Sequence, residues 1–363
     1  LDPSAGLNQI ADLTVADGRI CPLGTMPEKV RDTIDVSGCL VVPGLIDVHC
    51  HVYSRGSQLG TPADAALFPM GVTTAVDMGS AGYQNFTEYL EEAASMRSEL
   101  YHFVNVTPLG PISLKESEYA DPELFDEGAL RDCVARPHTI GLKVRMGKET
   151  IRELGIRPLA ATVELAEKLG CRVAVHVSGS TVPVREMADL LRTNDMFCHV
   201  YQDRGDTILD EHGAVYPQIL KARDRGVLFD VAHGLKNASN QVARDALKQG
   251  FLPDFIGTDI SSLASFRPPV IGQPCLMSRY MAMGLSLPQV ITMTTAAPAK
   301  WLEASGRLGT LQAGADGDIT VLKQISRRIS FSDYHGDLVQ GEELLVPMLT
   351  VKNGKIVYRS VEL

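Results

Sequence analysis

Two histidines stand at alternate positions in the stretch PGLIDVHCH, residues 43–51. In a β-strand, residues two apart project from the same face at a spacing of about 7 Å, so His49 and His51 can share one target. One interpretation is an edge strand whose histidines face solvent. The other is a strand that ends at a cavity and presents two imidazoles to a metal ion. The pair alone does not decide, so further ligands must come from elsewhere in the chain.

A repeated alternation of strands and helices would position such ligands. The run LIDVHCH is followed by GVTTAVDMG, YHFVNVTPLG, TIGLKVRMG, CRVAVHVSG, DMFCHVYQ, GVLFDVAHG and DFIGTDIS. The segments between them, such as IRPLAATVELAEKLG, carry apolar residues at three- and four-residue spacings and often end in Gly, as amphipathic helices do. Eight strands alternating with helices predict an α/β fold, a (β/α)8 TIM-like barrel over residues 43–305.

The two ends of the chain show a different pattern, that of short antiparallel strands. Runs such as IADLTVADGRI and GCLVVPG lie near the start, and DGDITVL and MLTVKNGKIVYRS lie near the end, where Asn353-Gly354 is typical of a hairpin turn. Neither end is long enough to close a core alone. We therefore predict a small β-sandwich domain formed from both chain termini, residues 1–42 and 306–363.

The C-terminal ends of the strands are where a barrel of this kind carries its catalytic residues. Besides the two histidines of strand one, the polar residues at these ends are Lys143 on strand four, His176 on strand five, His199 on strand six and Asp259 on strand eight. We expect them to converge and to bind metal. The alternatives are that Lys143 pairs with a carboxylate and that the others are hydrogen-bonded polar residues of the barrel end.

These strand ends resemble the amidohydrolase superfamily, with its HxH pair, bridging lysine, two further histidines and aspartate. The matching pieces are PGLIDVHCH, the Lys of GLKVR, the His of VAVHVSG, the His of FCHV and the Asp of GTDIS. GTLQAGADGDITVL near the C-terminus is also similar to the family, so the resemblance covers nearly the whole chain. DMGSAG, residues 77–82, and GLKVR resemble the dihydroorotase-like subgroup of metal-dependent deacetylases, whose members act on acetylated hydroxy acids.

The resemblance implies a binuclear site with two divalent metal ions, most often Zn²⁺. The implied ligands are His49, His51 and Asp259 for the more buried ion and His176 and His199 for the more exposed one. Lys143 would bridge both as a carbamate formed with CO₂, because a lysine ammonium has no lone pair. A hydroxide between the metals would attack the substrate, and Asp259 would be the catalytic residue that takes up and returns the proton.

Two positions next to these ligands are candidates for substrate binding. Arg145 lies two residues beyond Lys143 and could meet a substrate carboxylate with its planar fork, or it could form a structural ion pair. His233 ends strand seven in DVAHG, where a substrate contact and a structural role are both open. Asp47, below the HxH pair, is expected to orient a histidine or cap a turn.

Two loops supply further candidates. Dihydroorotases of related type have an arginine two residues after HxH, whereas this chain has Tyr53 there. That departure argues against dihydroorotase activity itself. In MGSAG, the small residues Gly79 and Ser80 could let backbone N–H groups or the serine hydroxyl approach a ligand. The alternative is a tight loop with no ligand contact.

Composition limits the classes of binding partner and the cellular compartment that we expect. There are 34 Lys and Arg against 44 Asp and Glu, a net charge of −10, and no basic run to follow a phosphate backbone, so no nucleic-acid partner is expected. The seven cysteines are scattered without CxxC spacing, which favours a reducing, cytoplasmic location. No apolar run approaches the roughly 20 residues of a membrane span, and no signal peptide is visible. The chain starts at LDPSAG without Met, so we expect some N-terminal residues to be missing.

The predicted function is a metal-dependent hydrolase that removes an acyl group, foremost acetyl, from a small carboxylate-bearing ester or amide. One alternative is a cyclic amidase of the dihydroorotase or hydantoinase type, which would use the same metal site. Another is a non-catalytic scaffold, which the retention of all six ligand positions disfavours. A mononuclear deaminase usually lacks the bridging lysine. The expected partner is a small-molecule substrate, and a homo-oligomer is left open.

Overall fold

The computed structural model describes residues 1–26, 28–113 and 118–363. The strands in chain order are β1 (Val15–Ala16), β2 (Arg19–Ile20), β3 (Leu40–Pro43), β4 (Leu45–Cys50), β5 (Val72–Gly82), β6 (Glu99–Asn105), β7 (Thr139–Arg145), β8 (Arg172–His176), β9 (Met196–Cys198), β10 (Leu228–Asp230), β11 (Ile319–Ser332), β12 (Leu338–Lys352) and β13 (Lys355–Arg359).

The α-helices lie mainly between the barrel strands. They are α1 (Ala63–Leu67), α2 (Phe86–Ala93), α3 (Glu127–Val134), α4 (Lys148–Ile151), α5 (Arg157–Leu169), α6 (Val184–Leu190), α7 (Pro217–Asp224), α8 (Asn240–Lys248), α9 (Gln273–Ala282), α10 (Leu287–Met293) and α11 (Ala296–Trp301). Among the described residues, no helix combines the length and the apolar composition that a membrane crossing requires.

Strands β4 to β10 form a parallel sheet in chain order. The eighth predicted strand, DFIGTDIS, closes this sheet through single bridges instead of a long ladder. Phe255 pairs with Asp230 of β10, and Ile260 pairs with Cys50 of β4. Backbone hydrogen bonds from Asp259 N to His49 O (2.8 Å) and from His51 N to Ile260 O (2.9 Å) complete the seam. The (β/α)8 TIM-like barrel is therefore confirmed.

The barrel interior is filled by apolar side chains from around the sheet. They include Ile46, Val48, Val76, Met78, Tyr101, Phe103, Ala174, Met196, Cys198 and Phe255. Trp301 of α11 closes the N-terminal end of the barrel, with its ring centroid 6.1 Å from that of Phe103 and 5.5 Å from that of Phe255. Because side chains fill the N-terminal end, a catalytic site can lie only at the open C-terminal end of the barrel.

Helices cover the outside of the barrel and so fix which strand residues face inward. On β7, Leu142 and Val144 are buried in the outer core together with helix residues such as Leu159 and Ile219. Since strand side chains alternate, Lys143 between them points into the barrel.

The two chain ends together form antiparallel sheets. One has the strand order β13-β12-β11-β3, and β1 pairs with β2 in a small hairpin. Ile20 from the first half of the chain shares a core with Val321, Met348 and Leu349 from the last part. The predicted β-sandwich from both termini is confirmed, while its boundaries after residues 42 and 305 stay predictions.

A group of charged side chains joins these sheets to the barrel at the start of β6. Arg307 bonds both Glu99 (Nη2 to Oε1, 2.6 Å) and Asp316 (Nη1 to Oδ2, 2.8 Å). The nearly buried Lys352 Nζ lies 2.6 Å from Asp318 Oδ2 and 3.5 Å from Glu99 Oε2. Glu99, on the barrel, is thus held by cations from the C-terminal part of the chain.

Candidate metal centre

Strand β4 carries a β-bulge between Asp47 and Cys50, where it has one residue more than its neighbour β5. The bulge reverses the side-chain alternation, since Val48 packs inside the barrel and Cys50 packs under the helices. His49 and His51 therefore both turn inward at the open end of the barrel.

Asp47 stabilises this bulge through the backbone. Its Oδ1 accepts the N–H of His49 (3.1 Å) and of Thr258 (3.0 Å), and its Oδ2 accepts the Thr258 hydroxyl (2.5 Å). Asp47 thus orients His49 by its main chain and joins β4 to the eighth strand.

His49, His51 and Asp259 form a compact group of possible metal ligands. The Asp259 Oδ1 atom lies 3.6 Å from His49 Nε2 and 3.4 Å from His51 Nε2. Asp259 has a left-handed backbone (φ 52°), and its Oδ2 accepts a hydrogen bond from Asn237 Nδ2 at 2.9 Å. Two imidazole nitrogens and one carboxylate oxygen that converge in this way fit a divalent cation.

His176 and His199 lie beside this group. His176 Nδ1 is 2.7 Å from His199 Nε2, while His199 Nδ1 is 2.7 Å from the Ala232 carbonyl oxygen. The ring centroid of His199 lies 5.2 Å from that of His49. The structure thereby brings all four predicted histidines together.

Lys143 is buried next to the same cluster. Its Nζ lies 3.5 Å from Cys198 Sγ, and Cys198 forms a second possible ligand group with His49 and Asp230. A thiol is a weak acceptor, so this bond compensates little for burying an ammonium. A free ammonium at this buried position would thus be poorly compensated.

Burial sets the charge state of the histidines. It lowers the pKa of His49 well below its usual range. Burial also lowers the pKa of His199 and of His176. These rings are therefore neutral near neutral pH, which is the form that offers a lone pair to a metal.

The two carboxyl groups beside His49 differ in their pKa. Burial raises the pKa of Asp230 to about 7, although its Oδ1 accepts the N–H of Gly257 at 2.8 Å. Burial would also raise the pKa of Asp259, but the hydrogen bond with His51 lowers it below its ordinary value. Asp259 is therefore ionised near neutrality.

Arg145 is paired with a carboxylate. Its Nη1 donates to Glu118 Oε2, and Glu118 also accepts a hydrogen bond from Asn105 Nδ2 at 2.6 Å. The Arg145 side chain is 33% exposed, whereas that of Glu118 is buried. One edge of the guanidinium is thus paired and part of it is open to solvent.

Gly79 and Ser80 are packed around the ligands. Gly79 has φ 73°, and a Cβ there would lie 2.7 Å from Lys143 Cβ. Ser80 is fully buried, with its Oγ 2.7 Å from Asp77 Oδ2 and 2.9 Å from His51 Nδ1. A substrate contact of the Ser80 hydroxyl would require one of these bonds to be exchanged.

His233 and Tyr53 also have protein partners already. His233 Nδ1 is 2.9 Å from the Gly234 carbonyl oxygen, and its Nε2 accepts from Arg279 Nη1. The Tyr53 hydroxyl donates to Glu88 Oε2 of α2 at 3.4 Å. Neither side chain presents a free polar atom to the histidine cluster, so their predicted substrate contacts would need these bonds to break.

Several residues of the site were not found by sequence reasoning. They are Asp77, Glu118, Cys198, Asp230 and Arg279. Asp230 ends β10 in LFDVAHG, so the rule used for the other strand ends could have found it, whereas Asp77 lies inside β5. Glu118 lies in a loop and Arg279 in α9, and no local pattern marks either position.

Residues 40–357 match the Amidohydrolase family. This chain belongs to that family. The match spans the barrel strands, the proposed ligands and most of the terminal sheets, as the resemblance predicted. The amidohydrolase fold of this chain is thus established together with its hydrolase class.

Individual relatives differ in what they are named for. A deacetylase of Agrobacterium fabrum is 26% identical over 352 residues, covering 95% of this chain and 86% of the relative. The crystal structure of a dihydroorotase superposes with a TM-score of 0.89 at 25% identity, covering 98% of this chain and 94% of that one. The crystal structure of an adenine deaminase, with a TM-score of 0.90, 24% identity and 96% coverage of both chains, shares the fold.

Proposed function

We propose that this amidohydrolase is a binuclear metal-dependent enzyme that removes an acyl group, foremost acetyl, from a small carboxylate-bearing ester or amide. The observation that carries the proposal is the convergence of His49, His51 and Asp259 in a buried group with His199 and His176 beside it. The similarity to a deacetylase over 95% of the chain supports the choice of an acyl group.

The donor set suits two divalent ions, with Zn²⁺ favoured by its imidazole nitrogens. His49, His51 and Asp259 would hold one ion and His176 and His199 the other, with Lys143 between them as a carbamate. When bound, such ions polarise a carbonyl group and make water acidic enough to ionise near neutrality.

The chain's own residues supply orientation and proton transfer. The open edge of the Arg145 guanidinium would bind the substrate carboxylate, since Glu118 holds the other edge. Asp259 would accept the proton of the attacking water and deliver it to the oxygen or nitrogen atom that leaves with the alcohol or amine. Acyl–oxygen or acyl–nitrogen cleavage would then release a carboxylic acid and the deacylated product.

A cyclic amidase is the second candidate, and the similarity to a dihydroorotase structure favours it. Hydrolysis of a cyclic amide opens the ring without releasing a second molecule. The two reactions are therefore distinguished by whether acetate appears in solution.

The cellular location and the binding partner of this protein are also proposals. All seven cysteines carry free thiols, as is usual in a reducing compartment, and we propose a cytoplasmic location. The net charge of −10 disfavours nucleic acid, which leaves a small molecule as the expected partner.

The experiment is a screen of the zinc-loaded protein with N-acetyl and O-acetyl carboxylates, cyclic amides and neutral acetyl analogues. We expect acetate release from a carboxylate-bearing substrate and its loss after chelation of the metal. Arg145→Met should raise KM for that substrate about tenfold or more, since a charge-assisted bidentate contact is lost, and should spare the neutral analogue. The control is Arg131→Met, which removes an ion-paired arginine from the outside of α3. Ring opening without acetate release would favour the cyclic amidase instead.

A further inference from the structure

His49 of β4 and His51, directly after the strand, use their ring nitrogens in the same way. Each points Nε2 toward Asp259 Oδ1, at 3.6 Å for His49 and 3.4 Å for His51. Each also places Nδ1 against a buried oxygen: Asp230 Oδ2 at 3.1 Å from His49, and Ser80 Oγ at 2.9 Å from His51. The position of one proton on each ring therefore decides whether Nε2 carries a lone pair.

On the His51 side, the direction of the hydrogen bonds follows from Asp77. Its Oδ1 accepts the N–H of Ser80 at 2.7 Å, and its Oδ2 accepts the N–H of Val52 at 2.8 Å. Both carboxylate oxygens thus act as acceptors, so the Ser80 hydroxyl is the donor in its 2.7 Å bond to Oδ2. The Ser80 oxygen is then left to accept the Nδ1–H of His51.

On the His49 side, the group that faces Nδ1 is a carboxylate, with no hydroxyl between them. Asp230 Oδ1 accepts the backbone N–H of Gly257 (2.8 Å) and of Ala232 (3.2 Å), which leaves Oδ2 for His49 Nδ1. A Cβ on Gly257 would lie 2.6 Å from an Asp230 oxygen and 2.8 Å from His49 Cβ, so the close packing permits little rotation of either side chain.

We infer that Asp230, and Asp77 acting through Ser80, are positioning residues that hold His49 and His51 as Nδ1–H tautomers with the Nε2 lone pairs directed at the metal position. The inference rests on the proposed metal-dependent function. In this inference the Ser80 hydroxyl orients the His51 ring and does not contact the substrate. Partners of this kind typically change metal affinity by 10–100-fold when removed.

The serial arrangement has a specific consequence. Because Asp77 reaches the His51 ring through the Ser80 hydroxyl, Asp77→Asn should reduce Zn²⁺ affinity by a smaller factor in Ser80→Ala than in the wild type. Asp230 acts on the other ring, so Asp230→Asn should add its full effect to that of Ser80→Ala.

The test is the Zn²⁺ affinity of the full-length protein, measured by competition with a chelating dye, for the wild type, Ser80→Ala, Asp77→Asn, Asp230→Asn and the double variants. Ser98→Ala is a matched control, because Ser98 Oγ donates to Asp64 Oδ1 at 2.8 Å and the same oxygen accepts the Ser98 N–H, at the opposite end of the barrel. We expect each single variant at the site to weaken Zn²⁺ binding by about 10–100-fold and Ser98→Ala to leave it unchanged. Thermal unfolding of every variant shows whether the fold is retained.

A second measurement reads the tautomers themselves. In the Zn²⁺-loaded, ¹⁵N-histidine-labelled protein, His49 and His51 should both show a protonated Nδ1. Unchanged Zn²⁺ affinity in folded Ser80→Ala and Asp230→Asn, or a protonated Nε2 in the wild type, would overturn the inference. A wild type that binds no Zn²⁺ would instead overturn the proposed function, so the two failures are distinguishable.

Discussion

At the scale of single residues, Asp259 unites several features of the site. It ends the eighth strand in a left-handed conformation (φ 52°), faces His49 and His51 with Oδ1 and accepts a hydrogen bond from Asn237 at Oδ2. Non-glycine residues in this backbone region are uncommon and concentrate at functional sites. Its lowered pKa keeps it ionised near neutral pH.

Asp259→Asn keeps the shape of the side chain and an oxygen ligand but cannot carry a proton. We expect kcat to fall by about 10²-fold or more, as for the loss of a general acid-base group, with metal content largely retained. Steady-state kinetics and metal analysis measure both quantities, with Asp224→Asn on the exposed surface of α7 as the control. A metal-loaded variant with near wild-type kcat would show that no proton passes through this residue.

The histidine cluster could be predicted from sequence, but the neighbours of its members could not. Barrel topology alone brings His49, Lys143, His176 and His199 together, because parallel strands deliver their C-terminal ends to one place. The contact of Ser80 with His51 depends on side-chain rotamers and on a buried carboxylate, Asp77, three residues earlier in β5. Such contacts have no periodicity that a sequence could reveal.

At the scale of secondary structure, the bulge in β4 shows where simple alternation fails. A regular strand would place Asp47 on the same face as His49 and His51. The extra residue before Cys50 breaks this alternation and leaves Asp47 to bind backbone N–H groups. Both histidines nevertheless turn inward, with His49 inside the bulge and His51 just beyond it.

Strand β5 approaches β7 closely at Gly79, which yields a prediction for this element. Gly79→Ala would place a Cβ 2.7 Å from Lys143 Cβ and so displace the lysine. We expect zinc per chain to fall and turnover to be lost. Metal analysis of the purified protein measures the first effect.

Gly213→Ala is the matched control for this substitution. Gly213 has a similar φ of 80°, but nothing lies within 4 Å of its Cβ position. Both variants bear the backbone cost of roughly 1–2 kcal/mol, and only the first meets the lysine. If Gly79→Ala kept full zinc content and activity, Lys143 would not need its present position.

At the scale of the whole molecule, the barrel and the terminal sheets are joined by the charges around Glu99. The split β-sandwich was predictable from the strand-like texture of both chain ends. The pairing of Glu99 with Arg307 and Lys352 was not, because these residues are more than 200 positions apart in sequence. Long-range ion pairs leave no local pattern.

This junction makes a prediction for acid stability. Burial would raise the pKa of Glu99, but the hydrogen bonds and charge of Arg307 and the charge of Lys352 lower it from 4.5 to about 2. A lowered folded-state pKa contributes stability above the ordinary pKa, and that contribution is lost as the pH falls toward the folded value. Denaturant unfolding should therefore show a decline in the free energy of unfolding between pH 4.5 and about 2.

Glu99→Gln should flatten this decline, since the glutamine has no proton to gain. Glu91→Gln on the exposed surface of α2 serves as the control and should keep the wild-type slope. An identical slope in Glu99→Gln would assign the acid sensitivity to other carboxylates.

The packing of Trp301 also makes the molecule easy to follow by fluorescence. It is the single tryptophan of the chain, it is 4% exposed, and it lies against Phe103 inside the closed end of the barrel. The core of the terminal sheets contains aliphatic side chains and no indole. Indole emission therefore reports on the barrel alone, whereas far-ultraviolet circular dichroism reports on both parts. Coincidence of the two unfolding curves would mean that barrel and terminal sheets melt as one cooperative unit.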